Sequence, residues 1–119
     1  MKKMKAVVLQ QFGDPSKAFA LKDVDVPVIS TGEILIEVET FGLNFADVTA
    51  RQGLYQDCPK LPTILGYEVV GRIIEVAEDV STLKVGDRVV SLTRFGGYAQ
   101  FAKSDHRAAV KISLSLIHI

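Results

Sequence analysis

The segment from Glu33 to Thr40 constrains this chain most: Ile34, Ile36 and Val38 alternate with Leu35, Glu37 and Glu39. Residues two apart share a face of a strand, so the pattern is that of a half-buried antiparallel strand. Other short runs of similar character surround it. Lys5 to Gln11 is aliphatic and β-branched. Phe19 to Val26 alternates apolar and polar residues until Pro27 closes it. Tyr67 to Val76 is strand-like, with Gly71 marking a bulge or a close backbone approach. Arg88 to Leu92 follows the turn Lys84-Val85-Gly86-Asp87, Tyr98 to Ala102 follows Gly96-Gly97, and Val110 to Ile112 starts one more strand. Gly13-Asp14-Pro15-Ser16 and Thr31-Gly32 read as turns. One stretch is different. Asn44 can cap a short helix from Phe45 to Gln52, with Gly53 ending it. Tyr55 to Thr63 carries two prolines and reads as a loop. Many short strands and few helices predict a mainly β domain, a small barrel.

The 119 residues suffice for one domain with its own core. The formal net charge is zero, so no general affinity for nucleic acid or anionic membrane is expected. No apolar run approaches the ~20 residues of a membrane helix, so no membrane insertion is expected. Met1-Lys2-Lys3-Met4-Lys5 leads straight into a strand without a signal-peptide core, and the cytoplasm is the expected location. Cys58 is the single cysteine, which excludes an internal disulfide and a cysteine-rich metal site. There is no strand–glycine-rich turn–helix unit of the dinucleotide-binding kind; Gly96-Gly97 precedes a strand.

Three blocks recur in a specific order. The first is Gly42-Leu43-Asn44-Phe45-Ala46-Asp47 with Arg51-Gln52-Gly53-Leu54-Tyr55. The second is Pro62-Thr63-Ile64-Leu65-Gly66-Tyr67-Glu68-Val69-Val70-Gly71. The third is Val85-Gly86-Asp87-Arg88-Val89 with Gly96-Gly97-Tyr98-Ala99. Together they resemble the GroES-like catalytic domain of the medium-chain dehydrogenase/reductase superfamily, over roughly Met4 to Ile112. The resemblance implies a GroES-like, partly open β-barrel with one or two short helices. Zinc alcohol dehydrogenases of that superfamily carry a cysteine near Asn44 and Gly-His-Glu where this chain has Gly66-Tyr67-Glu68. Asn and Tyr do not supply the ligand set of a catalytic zinc, so no zinc and no metal site is expected. These versions resemble the quinone oxidoreductase, ζ-crystallin and synaptic-vesicle-protein-homologue branch.

That resemblance implies NADPH as cofactor and hydride transfer to a quinone or an α,β-unsaturated carbonyl, a small-molecule substrate. The acceptor stays open among quinone, enone and small aldehyde. Asn44, Tyr55 and Tyr67 are the candidate catalytic residues; Asn44, Asp47 and Tyr55 are the candidate cofactor-binding residues. Asn44 and Tyr55 are expected to line the nicotinamide–substrate cleft, and Tyr67 to fill the space of a zinc ligand. None is assigned as an essential proton donor. Each has a structural alternative: Asn44 and Asp47 as helix-terminal residues, Tyr67 as core packing. Arg51 can pair with Asp47 or brace the loop, Glu68 is expected to make a structural hydrogen bond, and His106 to be solvated.

Residues 1–113 are expected to form the GroES-like domain. Leu114 to Ile119 match the translation of a sequencing-library adapter, so residues 114–119 are expected to be a non-native tail; a native stop codon after Ile119 in an independent genomic clone would contradict this. The Rossmann domain that holds the dinucleotide in this superfamily is absent from the 119 residues. The chain alone is therefore expected to be inactive, and the full-length protein to be a homodimer. Competing readings are a co-chaperonin-like binding module and a non-catalytic vesicle-protein-like relative.

Overall fold

Residues 2–113 are described in a computed structural model of the chain. The expectation for residues 114–119 lies outside the described residues. Seven strands occur among them: β1 (Lys3–Leu9), β2 (Phe19–Asp25), β3 (Glu33–Phe41), β4 (Glu68–Val76), β5 (Arg88–Leu92), β6 (Phe101–Asp105) and β7 (Ala109–Lys111). Two helices join them, α1 (Pro15–Ala18) and α2 (Phe45–Arg51). β1 and β2 form an antiparallel ribbon. The other strands form a five-stranded antiparallel sheet in the order β6-β3-β4-β5-β7.

The two sheets are stitched by residues 98–100. Val7 N–H donates to the Tyr98 carbonyl (2.8 Å), Gln100 N–H to the Lys5 carbonyl (3.1 Å), and Val38 N–H to the Gln100 carbonyl (2.8 Å). This crossing curls the assembly into the expected partly open barrel. It also moves the sixth strand. Tyr98 to Gln100 spend their backbone groups on β1, β3 and Leu65, so the ladder with β3 begins only at Phe101, opposite Glu37. The Gly13–Ser16 turn differs too: Asp14 accepts the Ser16 N–H (2.9 Å) and Pro15 opens a single helical turn.

The main core holds Ile34, Ile36, Val69, Ile73 and Val89, from the inward faces of β3, β4 and β5. Burying each such side chain stabilises the fold by roughly 1.5–3 kcal/mol. Leu35, on the opposite face, is also buried, beside a groove lined by Val26, Pro27, Ile74 and Phe101. Glu37 and Glu39 are exposed, as the alternation predicts. The bulge expected at Gly71 is carried by its partner strand: Val38 pairs with Gly71 and Thr40 with Val70, which leaves Glu39 as the extra residue. Gly71 itself meets the close approach. A Cβ there would stand 2.1 Å from the Glu37 carbonyl oxygen.

His106 is not simply solvated. Its Nδ1 lies 2.7 Å from the Gly32 carbonyl, which can only accept, so that nitrogen carries the proton. Arg51 does not pair with Asp47; its Nη1 donates to the Gly13 carbonyl (2.7 Å) and braces the turn before α1. Asn44 N–H already takes part of the Asp47 carboxylate, and the rest is spent elsewhere.

Five carboxylates titrate below their ordinary range. Asp14 is held down by Ser16, Asp25 by Lys3, Glu39 by the Arg88 guanidinium, Asp87 by the Lys84 N–H and Asp105 by the Arg107 guanidinium. A depressed folded-state value adds stability at pH above the unfolded carboxylate range of about 4, and that stability is lost as pH falls through the lower folded values. Thermal melts between pH 7 and pH 2.5 are expected to hold level down to about pH 5 and then fall steadily. A melting temperature that rises toward pH 3 would contradict the assignment.

Candidate functional site

The site is built where α2, the segment Leu65–Glu68 and the loop Thr93–Tyr98 converge. Asn44 enters α2 with extended backbone (φ −125°, ψ 152°), and its side chain makes no capping hydrogen bond. Asp47, three residues on, turns inward and is 6% exposed. Its Oδ2 accepts the Tyr98 hydroxyl (2.5 Å) and the Asn44 N–H (3.1 Å), and its Oδ1 accepts the Gly66 N–H (3.4 Å). One carboxylate therefore ties α2 to two distant segments. Burial first, then the hydrogen bond to Asp47 and the charge of that carboxylate, pushes the Tyr98 phenol well above its ordinary range, so it stays a donor.

Gly66 adopts φ +111° and lies against Gly97, where a Cβ would stand 2.7 Å from the Gly97 Cα. Thr93 Oγ1 donates to the Gly66 carbonyl (2.8 Å), and Thr93 N–H donates to the Tyr67 carbonyl (2.7 Å). This fixes Tyr67, whose hydroxyl is hydrogen-bonded to that of Tyr55. Phe95 packs against both rings, with centroids 6.4 Å from Tyr55 and 5.9 Å from Tyr67. The hydrogen bond to Tyr67 is the first cause that raises the Tyr55 phenol above its ordinary value; the Arg94 charge acts in the opposite sense.

Asn44 Nδ2 is the one buried side-chain polar atom without a partner among the described residues. Asn44 lines a hollow of about 170 Å³ together with Phe19, Leu43, Asp47, Val48 and Tyr98. A buried donor left unpaired costs roughly 1–3 kcal/mol, which is what an acceptor on a bound group would recover.

The structure thus brings the sequence-derived residues together in two pairs. Asn44 and Asp47 share the start of α2. Tyr55 and Tyr67 share a hydroxyl contact. The Asp47–Gly66 hydrogen bond joins the pairs, because Tyr67 follows Gly66. Glu68 departs from expectation: its carbonyl accepts from Gly42 N–H (3.3 Å), while its side chain lies against Gly42 without the expected hydrogen bond. Sequence reasoning did not find Tyr98, Phe95 or Thr93 as parts of the site. Tyr98 stood in the Gly96-Gly97-Tyr98-Ala99 block, but nothing local signals a partner 51 residues away.

The family model of the alcohol dehydrogenase GroES-like domain matches residues 30–114. The chain belongs to this family. Its relatives include the quinone oxidoreductase of Lama guanicoe, 40% identical over 105 residues, which are 87% of this chain and 32% of that protein. Among solved structures, the human synaptic vesicle membrane protein VAT-1 homolog-like protein superposes with a TM-score of 0.91 at 31% identity, covering 95% of this chain and 36% of that one. A mycobacterial protein solved in complex with NADPH superposes with a TM-score of 0.84 at 33% identity, covering 94% and 34%. The chain spans about a fifth to a third of the length of the curated relatives it matches. The GroES-like barrel expected from the blocks is therefore the observed fold. Among the described residues, no helix is long and apolar enough to cross a membrane.

Proposed function

We propose that the protein carrying this domain is an NADPH-dependent, zinc-independent oxidoreductase that reduces a quinone or an α,β-unsaturated carbonyl. The observation that carries the reading is the Tyr55–Tyr67 hydroxyl pair. Where zinc relatives place a ligand, this site holds a phenol already bonded to a second phenol. The donors do not suit zinc, which takes thiolate, imidazole or carboxylate. They do suit an oxyanion, which needs fixed hydrogen-bond donors aimed at its oxygen.

NADPH fits the Asn44 side of the site, because the unpartnered buried Nδ2 would meet an acceptor such as the carboxamide oxygen of a nicotinamide. When bound, that cofactor supplies the hydride. Asn44 orients it. Asp47 acts behind Asn44, holding the start of α2 in place. As negative charge develops on the acceptor oxygen, the Tyr55 hydroxyl turns its proton from Tyr67 to that oxygen, and Tyr67 Oη then donates to Tyr55 in its place. Leu43 and Phe45, about four-fifths exposed beside Asn44, form an apolar rim suited to a nucleotide-binding domain. The 119-residue domain alone turns nothing over, since the phosphate-cradling elements of such a cofactor lie elsewhere. The full-length protein is a cytoplasmic homodimer.

The test is NADPH oxidation by the complete gene product with a quinone and with an enone, with and without a chelator. Turnover unaffected by the chelator is expected. Tyr55→Phe is expected to lower kcat/KM about 100- to 1,000-fold, as does loss of one oxyanion donor, and Tyr67→Phe by less because Tyr55 remains. Chelator-sensitive turnover, or wild-type rates in Tyr55→Phe, would sink the reading. A non-catalytic vesicle-protein-like role is the second reading, favoured by the likeness to the VAT-1 homolog-like structure; no turnover with either acceptor would select it.

A further inference from the structure

Arg94 is the one non-glycine residue among the described residues with left-handed backbone (φ +68°). L side chains avoid that region, and residues held in it cluster at ligand-contacting positions. The conformation is enforced locally. Thr93 N–H and Arg94 N–H both donate to the Tyr67 carbonyl (2.7 and 3.2 Å), Thr93 Oγ1 to the Gly66 carbonyl (2.8 Å), and Gly96 N–H to the Ile64 carbonyl (2.8 Å). Phe95, the next residue, is the ring that packs on Tyr55 and Tyr67.

The guanidinium held at this position is uncommitted. Arg51 is spent on the Gly13 carbonyl, Arg88 on Glu39 and Arg107 on Asp105; Arg72 also lacks an ion pair among the described residues, but it stands in the β3–β4–β5 ladder opposite Glu37 and Arg88. Arg94 has no carboxylate within ion-pair distance among the described residues, and its side chain is exposed. Its charge is felt at the Tyr55 hydroxyl, as is the opposite charge of Asp57. A planar, permanently charged fork carried on backbone bonded to the Tyr67 carbonyl, one residue before the ring that packs on both phenols, matches a carboxylate, which arginine binds through paired hydrogen bonds.

We propose that Arg94 is the specificity residue of this site and selects acceptors that carry a carboxylate next to the reducible enone or quinone. The inference rests on the reductase reading. Arg94 anchors the carboxylate, Tyr55 meets the carbonyl oxygen, and the reacting carbon is thereby placed between them.

The test compares 4-oxo-4-phenylbut-2-enoate with its methyl ester as acceptors for the complete gene product. Arg94→Gln is expected to lower the acid-to-ester ratio of kcat/KM by about 10- to 100-fold, the usual scale of a lost charge-assisted pair. Arg94→Lys is expected to restore part of it, and the defect to lie in KM. Calorimetric titration with the acid in the absence of NADPH gives a readout that needs no turnover: the acid binds the wild type and not Arg94→Gln. An unchanged ratio in Arg94→Gln overturns the inference and leaves the reductase reading standing. If the wild type reduces neither compound, the reductase reading falls, and the titration alone decides Arg94: equal binding of the acid to both proteins overturns its role.

Discussion

Asp47→Ala is expected to destabilise the domain by about 3–5 kcal/mol, the scale for removing one partner of a buried charged network. That is a large part of the 5–15 kcal/mol that a domain of this kind has in total. Three donors converge on this one carboxylate: the Tyr98 hydroxyl and the backbone N–H groups of Asn44 and Gly66. After the substitution they face an apolar methyl, with little water to replace the lost acceptor. Two effects follow together. The start of α2 loses its hold on Asn44, and the Leu65–Glu68 segment loses its tie to the helix. Urea unfolding of Asp47→Ala, Tyr98→Phe and the double variant measures this. Tyr98→Phe removes one donor along with its bond and is expected to cost less, about 1–2 kcal/mol. The double variant is expected to be clearly less destabilised than the sum of the two, because the groups act on one another. A loss under about 1 kcal/mol for Asp47→Ala would show that the network does not hold the site together.

Gly71→Ala is the second large effect. Gly71 lies on β4, in the middle of the five-stranded sheet, paired with Val38 on one side and Val89 on the other. An added Cβ would stand 2.1 Å from the Glu37 carbonyl oxygen and 2.7 Å from Ile36 Cγ2. The first of these is backbone, so no rotamer change relieves it. β3 must move away from β4 where the sheet is hydrogen-bonded and where Ile36 and Ile73 form the core. The expected cost is about 3 kcal/mol or more, at the upper end of overpacking effects. This corresponds to a fall of roughly 10–20 °C in Tm for a domain of about this size. Differential scanning calorimetry checks it. A shift within about 2 °C would mean that the two strands separate far more easily than their pairing suggests. Gly86→Ala serves as a control for glycine substitution in general, since open space surrounds that position and only its φ of +97° resists the change.

The predicted strands survived wherever their evidence was local. β3, β4 and β5 lie within a residue or so of the runs that alternate or carry β-branched residues, and β5 matches end to end. Asn44 and Gly53 bracket α2 where the sequence puts them, with Gly53 at φ +78°, but the hydrogen bond that fixes the start runs from the Asn44 N–H to the Asp47 carboxylate rather than from the Asn44 side chain. The misplaced sixth strand shows the limit of such reading. Tyr98-Ala99-Gln100 has strand composition and extended hydrogen bonding, but its partners belong to two different sheets. Composition cannot say which ladder a residue joins.

The sequence by itself determined the mainly β barrel, the position of α2, the turns other than Gly13–Ser16, and the family to which the chain belongs. Each of these rests on short-range chemistry: period-two alternation, caps and turn residues, and blocks in a given order. It also placed Asn44, Tyr55, Tyr67 and Asp47 on the shortlist. Only the tertiary structure decided how they are used. The Tyr55–Tyr67 contact spans 12 residues, the Asp47–Gly66 bond 19 and the Asp47–Tyr98 bond 51. The left-handed turn at Arg94 is likewise set by the Gly66 and Tyr67 carbonyls, far back in the chain. Hydrogen-bond donors and acceptors of the same type are common along any chain. Which of them meet is settled by closing loops of many residues and burying the result, and local pattern carries no record of that closure.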